Sequence, residues 1–479
     1  MIRWPSLARR LVVVGGMSLL LLGAEAGPGE RTSGVADQTK LNLTIYNGSL
    51  ALVHDRRRIA VVKGENRIAW RDVSAGMDAT SAILEDVTTP GAVSVEEQNF
   101  NFDLLKPSTI LDKFVGHDVT VVRDGPAPNQ PQRETARLLS DNEGVVLQYR
   151  DRVETGLTNA HIVFPSLPGG LRDRPTLTLD LASERAADPE LDLAYLTGGL
   201  SWHAEYVGVV SPSDDRLRLN GLITLTNESG TSFPNARVQL VAGNVHVPQP
   251  PVGQLMTIGR VAARNPAEQV TQENYFEYHL YTLGRPTSIG NNQTKQVALL
   301  HAANIPLRKT LELRGSDSYY SNQNADLGAK IKVGAYLTFT NKGGDLGIPL
   351  PGGLVRVYKN DKAGTSQFLG SDRIDHTPRN EDVRLHVGDS FDVTANKKQT
   401  DFQGIGGCTY ESSYEVALGN AKSEPVNVLV VEPIPGTWTV LSESLPHTKS
   451  SSATATWNVH VPADGKTTLR YRVRVSLCF

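Results

Sequence analysis

Much of what this sequence implies follows from what it lacks. Past residue 26, no run is apolar enough to cross a bilayer as a helix, which takes about 20 residues. Lys and Arg number 48 against 51 Asp and Glu, with no long Lys/Arg run, so there is no basic surplus to drive nucleic-acid binding. Sustained helical periodicity is missing outside one short segment, and no coiled-coil heptad occurs. The chain has no H-E-x-x-H, G-x-S-x-G, Walker loop, C-x-x-C or EF-hand loop, which removes the strongly signalled routes to an enzyme. No cofactor is expected. Aromatic residues make up 6%, sparse for a transmembrane barrel with its interfacial girdles.

What is present begins with a three-part export signal over residues 1–26. Arg3, Arg9 and Arg10 are basic, Leu11 to Leu22 is apolar, and Ala24-Glu25-Ala26 supplies the small-x-small cleavage pattern. The apolar core is short for a membrane span, so cleavage after Ala26 is expected, with a mature chain soluble in the periplasm or bound at the cell surface. Cleavage removes three Arg and one Glu, a net two positive charges, taking the formal charge from −3 to −5.

The remainder alternates with period two, the pattern of half-buried strands, and predicts an all-β chain of several β-sandwich domains. An N-terminal β domain is expected over 39–123. It carries the one short helix, Pro107 to Val115, started by Pro107 and closed by Gly116. The Pro-rich stretch 124–132 reads as a boundary, and a central meander follows over 133–245. There Leu191, Leu193 and Tyr195 share one strand face, Gly198-Gly199 suggests a hairpin turn, and Trp202, Ala204 and Tyr206 alternate with Ser201, His203 and Glu205. A Pro-rich linker is expected over 246–272, a long hairpin region over 273–350, and an immunoglobulin-like sandwich over 351–479.

The run Tyr195-Leu196-Thr197-Gly198-Gly199-Leu200-Ser201-Trp202-His203-Ala204-Glu205-Tyr206, with Thr224–Gly230, Asn235-Ala236 and Leu240–Asn244, resembles domain of unknown function 4139. Val355–Lys359, Gly370–Pro378 and Lys398–Phe402 are similar to the C-terminal part of the same family, which includes mucoidy-inhibitor-A-like proteins. The resemblance spans roughly Leu138 to the end and more weakly Leu41–Val122. It implies an exported, all-β, multi-sandwich bacterial protein and assigns no reaction or catalytic residue. The coiled coil that such members often carry is missing here.

Candidate chemistry is thin. His203 and Glu205 share a strand face, where they could act as base and orienting carboxylate; a water-facing polar face is the plainer reading. Asp372, Asp375 and His376 form an acidic-plus-His cluster that could ligate calcium, against the simpler reading of a turn held by Asp side chains. Arg56-Arg57-Arg58 reads as a solvated strand edge. The two cysteines, Cys408 and Cys478, are expected to bridge, since export allows a disulfide and the first and last strands of a sandwich can be neighbours. The function expected is non-enzymatic, with monomeric sandwich domains presenting strand edges and loops to an envelope protein or polysaccharide. The alternatives are an envelope hydrolase near His203/Glu205 or the His246–Val270 loop, and an outer-membrane-associated β protein.

Overall fold

The computed structural model describes residues 29–101, 103–125, 131–243, 271–275, 278–324 and 327–478. The expected signal segment 1–26, and the expected linker apart from residues 271 and 272, lie outside these. The chain is 63% strand and 4% helix, so the all-β reading holds. It divides into two compact units: Met1–Thr39, Arg56–Ala75 and Leu84–Asp192 form one, and Lys40–Asp55, Gly76–Ile83 and Leu193–Phe479 the other. The expected 39–123 domain is therefore shared out between the two. Alternation identifies strands and their faces but carries no information about which sheet each strand joins.

In the first unit, one sheet runs in the order Glu30–Ser33, Gly64–Arg71, Thr176–Ser183, Val93–Asn101. Trp70 is fully buried there, and the Arg57 guanidinium lies 4.7 Å from its ring centroid while donating to the carbonyls of Ser33 and Arg71. Arg56 and Arg58 pair with Asp192 and Glu190. The triple-Arg run is thus not a uniformly solvated edge: its middle member is 1% exposed and tied to backbone oxygens.

The second sheet of this unit is antiparallel, in the order Val153–Thr155, Val146–Gln148, Gln132–Ser140, Asp118–Arg123, Ala160–Val163. The helix Pro107–Phe114 lays Leu111 and Phe114 on its core. Of residues 124–132, expected as a domain boundary, 126–130 lie outside the described residues; the strands on either side are hydrogen-bonded neighbours, with Asp118 opposite Arg137 and Arg123 opposite Gln132.

In the second unit, a five-stranded sheet runs Gln293–Pro306, Arg216–Asn227, Leu200–Val210, Gly353–Asn360, Ser366–Ile374. Leu200–Val210 is its centre, antiparallel to Arg216–Asn227 and parallel to Gly353–Asn360. Glu190–Gly198 belongs to another sheet, so Gly198-Gly199 is a corner between sheets and not a hairpin turn. Gly199 has φ +80°, and a Cβ there would stand 2.7 Å from the Ser229 backbone, so the corner needs a residue without a side chain. Phe233–Ala242 runs parallel to Gln38–Tyr46, pairing Arg237 with Asn42 through Val241 with Tyr46, and antiparallel to Tyr278–Thr282.

A nine-stranded path completes this unit: Thr437–Glu443, Gly465–Ser476, Thr409–Asn420, Asp382–Gly406, Ile331–Thr340, Arg308–Arg314, Val426–Pro433, Thr454–Val461, Thr448–Ser451. It folds over one core, so that Trp457 from one end stacks on Tyr471 from the other at 4.7 Å. Leu469, Tyr471, Val473 and Val475 of the last strand face this core. The expected 351–479 sandwich differs in membership. Arg308–Arg314 and Ile331–Thr340 lie inside the nine-stranded path, while Gly353–Asn360 and Ser366–Ile374 complete the five-stranded sheet. A parallel partner about 150 residues downstream leaves no local sequence mark.

Candidate functional site

Along Leu200–Val210, burial alternates residue by residue: Trp202, Ala204 and Tyr206 are buried, His203 is exposed, and Glu205 is half-buried. The inward residues are anchored by their polar ends. Trp202 Nε1 donates to the Val241 carbonyl at 3.3 Å, and the Tyr206 hydroxyl donates to that of Pro351 at 2.8 Å. The Tyr281 hydroxyl donates likewise to Pro349. Burial pushes both tyrosine hydroxyls well above their ordinary range, so they remain protonated donors.

Glu205 is committed to its neighbours. Its Oε1 accepts two hydrogen bonds from the Arg356 guanidinium at 3.1 Å, and its Oε2 accepts from Gln296 at 2.9 Å and Thr224 at 3.2 Å. Arg356 and Thr224 come from the two strands flanking this one and Gln296 from the strand beyond that of Thr224, so the network runs across four strands of the sheet. Strand alternation places His203 and Glu205 on one face, but the carboxylate oxygens are taken up laterally. Glu205 therefore ties strands together and is not poised as an orienting group for His203.

The second cluster also disperses. Asp372 accepts from the backbone N–H of Arg373 at 2.8 Å and of His386 at 2.7 Å. Asp375 and His376 are exposed, and His376 Nδ1 accepts the Gly352 N–H at 3.1 Å. The Asp372 carboxylate oxygens thus hold backbone, the turn-like use of Asp. Among the described residues no group of three His, Cys, Asp or Glu gathers to hold a metal ion.

Cys408 and Cys478 are disulfide-bonded, with Cα atoms 5.3 Å apart. Thr409–Asn420 and Gly465–Ser476 are direct neighbours, Thr409 opposite Ser476, which brings the flanking cysteines together. On the polar face of the same pair, Glu411 receives Arg472 and Arg474.

Two features of the second unit were not legible as sites. One is an open cleft of about 370 Å³ whose buried lining includes Val210, Leu311 and Leu337. Lys309 and Lys359 line it and pair with Asp214, at 2.7 Å for Lys309. Partial burial alone would raise the Asp214 carboxyl, and the two ammonium groups overcome this and hold it below the usual range. Phe391, which alternation places as an ordinary strand residue, also lines the cleft and is 95% exposed, with Leu369 beside it 42% exposed.

The other lies inside the nine-stranded core. Lys397 Nζ is 2.6 Å from Glu432 Oε2, and the two side chains are 2% and 0% exposed. Tyr320 donates to the same oxygen at 2.8 Å, and its hydroxyl lies 3.0 Å from that of Tyr471. The rings of Tyr319 and Tyr414 lie 4.4 and 5.2 Å from the ammonium. Burial lowers the Lys397 amine against the opposing pull of Glu432, and raises the Tyr320 and Tyr471 hydroxyls well out of their ordinary range. A signal for this pair does exist in the sequence. Lys397 is in phase with Val393 and Ala395, and Glu432 with Val428 and Val430, so both charges fall on inward faces.

No protein-family model matches the chain, and no curated protein matches it.

Proposed function

We propose that this is an exported cell-envelope protein of the domain of unknown function 4139 family that acts as a non-enzymatic binding module, holding an apolar segment of a protein partner in the cleft beside Phe391. The observation carrying the reading is Phe391 itself. A phenylalanine that is 95% exposed beside an apolar-lined depression is stable only at a cost in hydration, and covering it recovers about 1.5–3 kcal/mol. The lining carries Lys309, Lys359 and Lys422 against Asp214, Asp389 and Asp392, so the cleft has polar rims of both signs around an apolar floor and no net formal charge. A binding reading is preferred to a hydrolase at His203 and Glu205 because both Glu205 oxygens are committed to Arg356, Gln296 and Thr224.

The test is parallel affinity capture from envelope extracts with the mature protein and its Phe391→Ser variant. A protein retained by the first and lost by the second supports the reading, with affinity falling about tenfold or more, as expected for a central aromatic anchor. Equal capture by both, or capture of polysaccharide alone, sinks it.

A further inference from the structure

The Lys397–Glu432 pair is an uncommon arrangement. Its members come from strands Asp382–Gly406 and Val426–Pro433, which are not hydrogen-bonded neighbours but are separated in the sheet by Ile331–Thr340 and Arg308–Arg314. The contact therefore spans the interior of the curled sheet. Glu432 Oε2 is held by Lys397 and Tyr320, whereas the buried Oε1 has no hydrogen-bond partner. Gly315 backs the carboxylate so closely that a Cβ there would stand 2.2 Å from Oε2. A buried ion pair with an unpartnered carboxylate oxygen recovers little of the hydration its charges have given up.

We propose that Lys397 and Glu432 condense after folding into an intramolecular amide, a covalent cross-link through the core of the nine-stranded sheet. The 2.6 Å contact passes one ammonium proton to the carboxylate, leaving a neutral amine facing a neutral carboxylic acid. Nζ attacks Cδ, forming the N–C bond. The charge that develops falls on Oε1, while the Tyr320 hydroxyl, backed by that of Tyr471, donates to the protonated Oε2 and holds it in place to leave. A second proton passes from the nitrogen across the same contact, the Cδ–Oε2 bond breaks, and Oε2 leaves as water. Two of the three ammonium protons depart with that water, and the third stays on the amide nitrogen. No oxidant, reductant or activating group enters the balance. Fixed proximity supplies the acceleration, and the aromatic walls of Tyr319 and Tyr414 shield the reacting pair from bulk water. Condensation removes two buried charges at once, and the loss of water from an apolar core draws the step forward.

The experiment uses the full mature protein, fully reduced, measured by intact mass and then digested. The expected result is a mass short of the sequence value by one water, with a branched peptide joining the segment of Lys397 to that of Glu432. A Lys397→Arg variant, which keeps the positive charge but forms no such amide, should show the full mass and two linear peptides. A wild-type protein of full mass, with Lys397 and Glu432 recovered on separate peptides, overturns the proposal whether or not the variant folds.

Discussion

Three substitutions on the central strand Leu200–Val210 should separate into three energy classes. Trp202 is 2% exposed, packs toward Tyr281 and donates to the Val241 carbonyl. Its replacement by Ala opens a large cavity and leaves that carbonyl without this donor, at a cost of about 3–5 kcal/mol. His203 is exposed, and His203→Gln should stay within about 0.5 kcal/mol of the parent. Glu205 is the informative case. A charge-assisted hydrogen bond is worth about 1.5–3 kcal/mol when buried. Here the Glu205 and Arg356 side chains retain 17% and 31% exposure, so water screens part of that. Glu205→Gln keeps the shape, removes the charge opposite Arg356, and turns an amide toward Gln296 or Thr224; about 1–2 kcal/mol is expected. Urea unfolding of the mature protein measures all three. A double-mutant cycle with Arg356→Met should return a coupling of about 1 kcal/mol or more, since the two side chains are in direct contact. If Glu205→Gln is as silent as His203→Gln, or the cycle shows no coupling, the four-strand network contributes nothing and the account of this face is wrong.

The Cys408–Cys478 bond closes a loop of 70 residues, and the chain-entropy model assigns such a closure about 4 kcal/mol. Adding reductant should lower the unfolding midpoint of the native protein, and free alkylation of both thiols without reductant would refute the pairing. In the first unit, the Arg172 guanidinium holds the nearly buried Glu30 carboxyl below its usual range, overcoming the opposing effect of burial. A depressed folded-state value means the stabilisation is present above the unfolded carboxyl range, near pH 4, and is lost as pH falls through the folded value. Glu30→Gln should therefore flatten part of the acid-side loss of stability; an unchanged pH profile counts against this coupling. Finally, export with cleavage after Ala26 should leave Gly27 as the first residue of envelope-fraction protein, and an intact mass that still includes Met1 rules that processing out.

The all-β character, the short helix at Pro107–Phe114 and the face assignments along each strand were legible because they depend on local periodicity and end signals alone. Trp202 and Tyr206 face inward as their spacing demands, and the Cys408–Cys478 proximity follows from neighbouring strands of one sheet. Partnership was not legible. Period-two alternation is the same whether Gly198-Gly199 turns a hairpin or carries the chain from one sheet to another, and only the close approach of Ser229 to Gly199 distinguishes the two. Glu205 looked free because Arg356 lies 151 residues away on a parallel strand, and no short-range pattern announces a parallel partner. Arg57, Lys397 and Glu432 sit in phase with apolar neighbours, so their inward direction was written in the chain. Whether an inward charge finds backbone carbonyls, as Arg57 does, or an opposite charge, as Lys397 does, depends on the segments that fold against it. Local sequence thus determined which way each side chain points. Tertiary structure decided what it meets, because pairing energies between distant strands are set by whole-sheet packing rather than by any one stretch of residues.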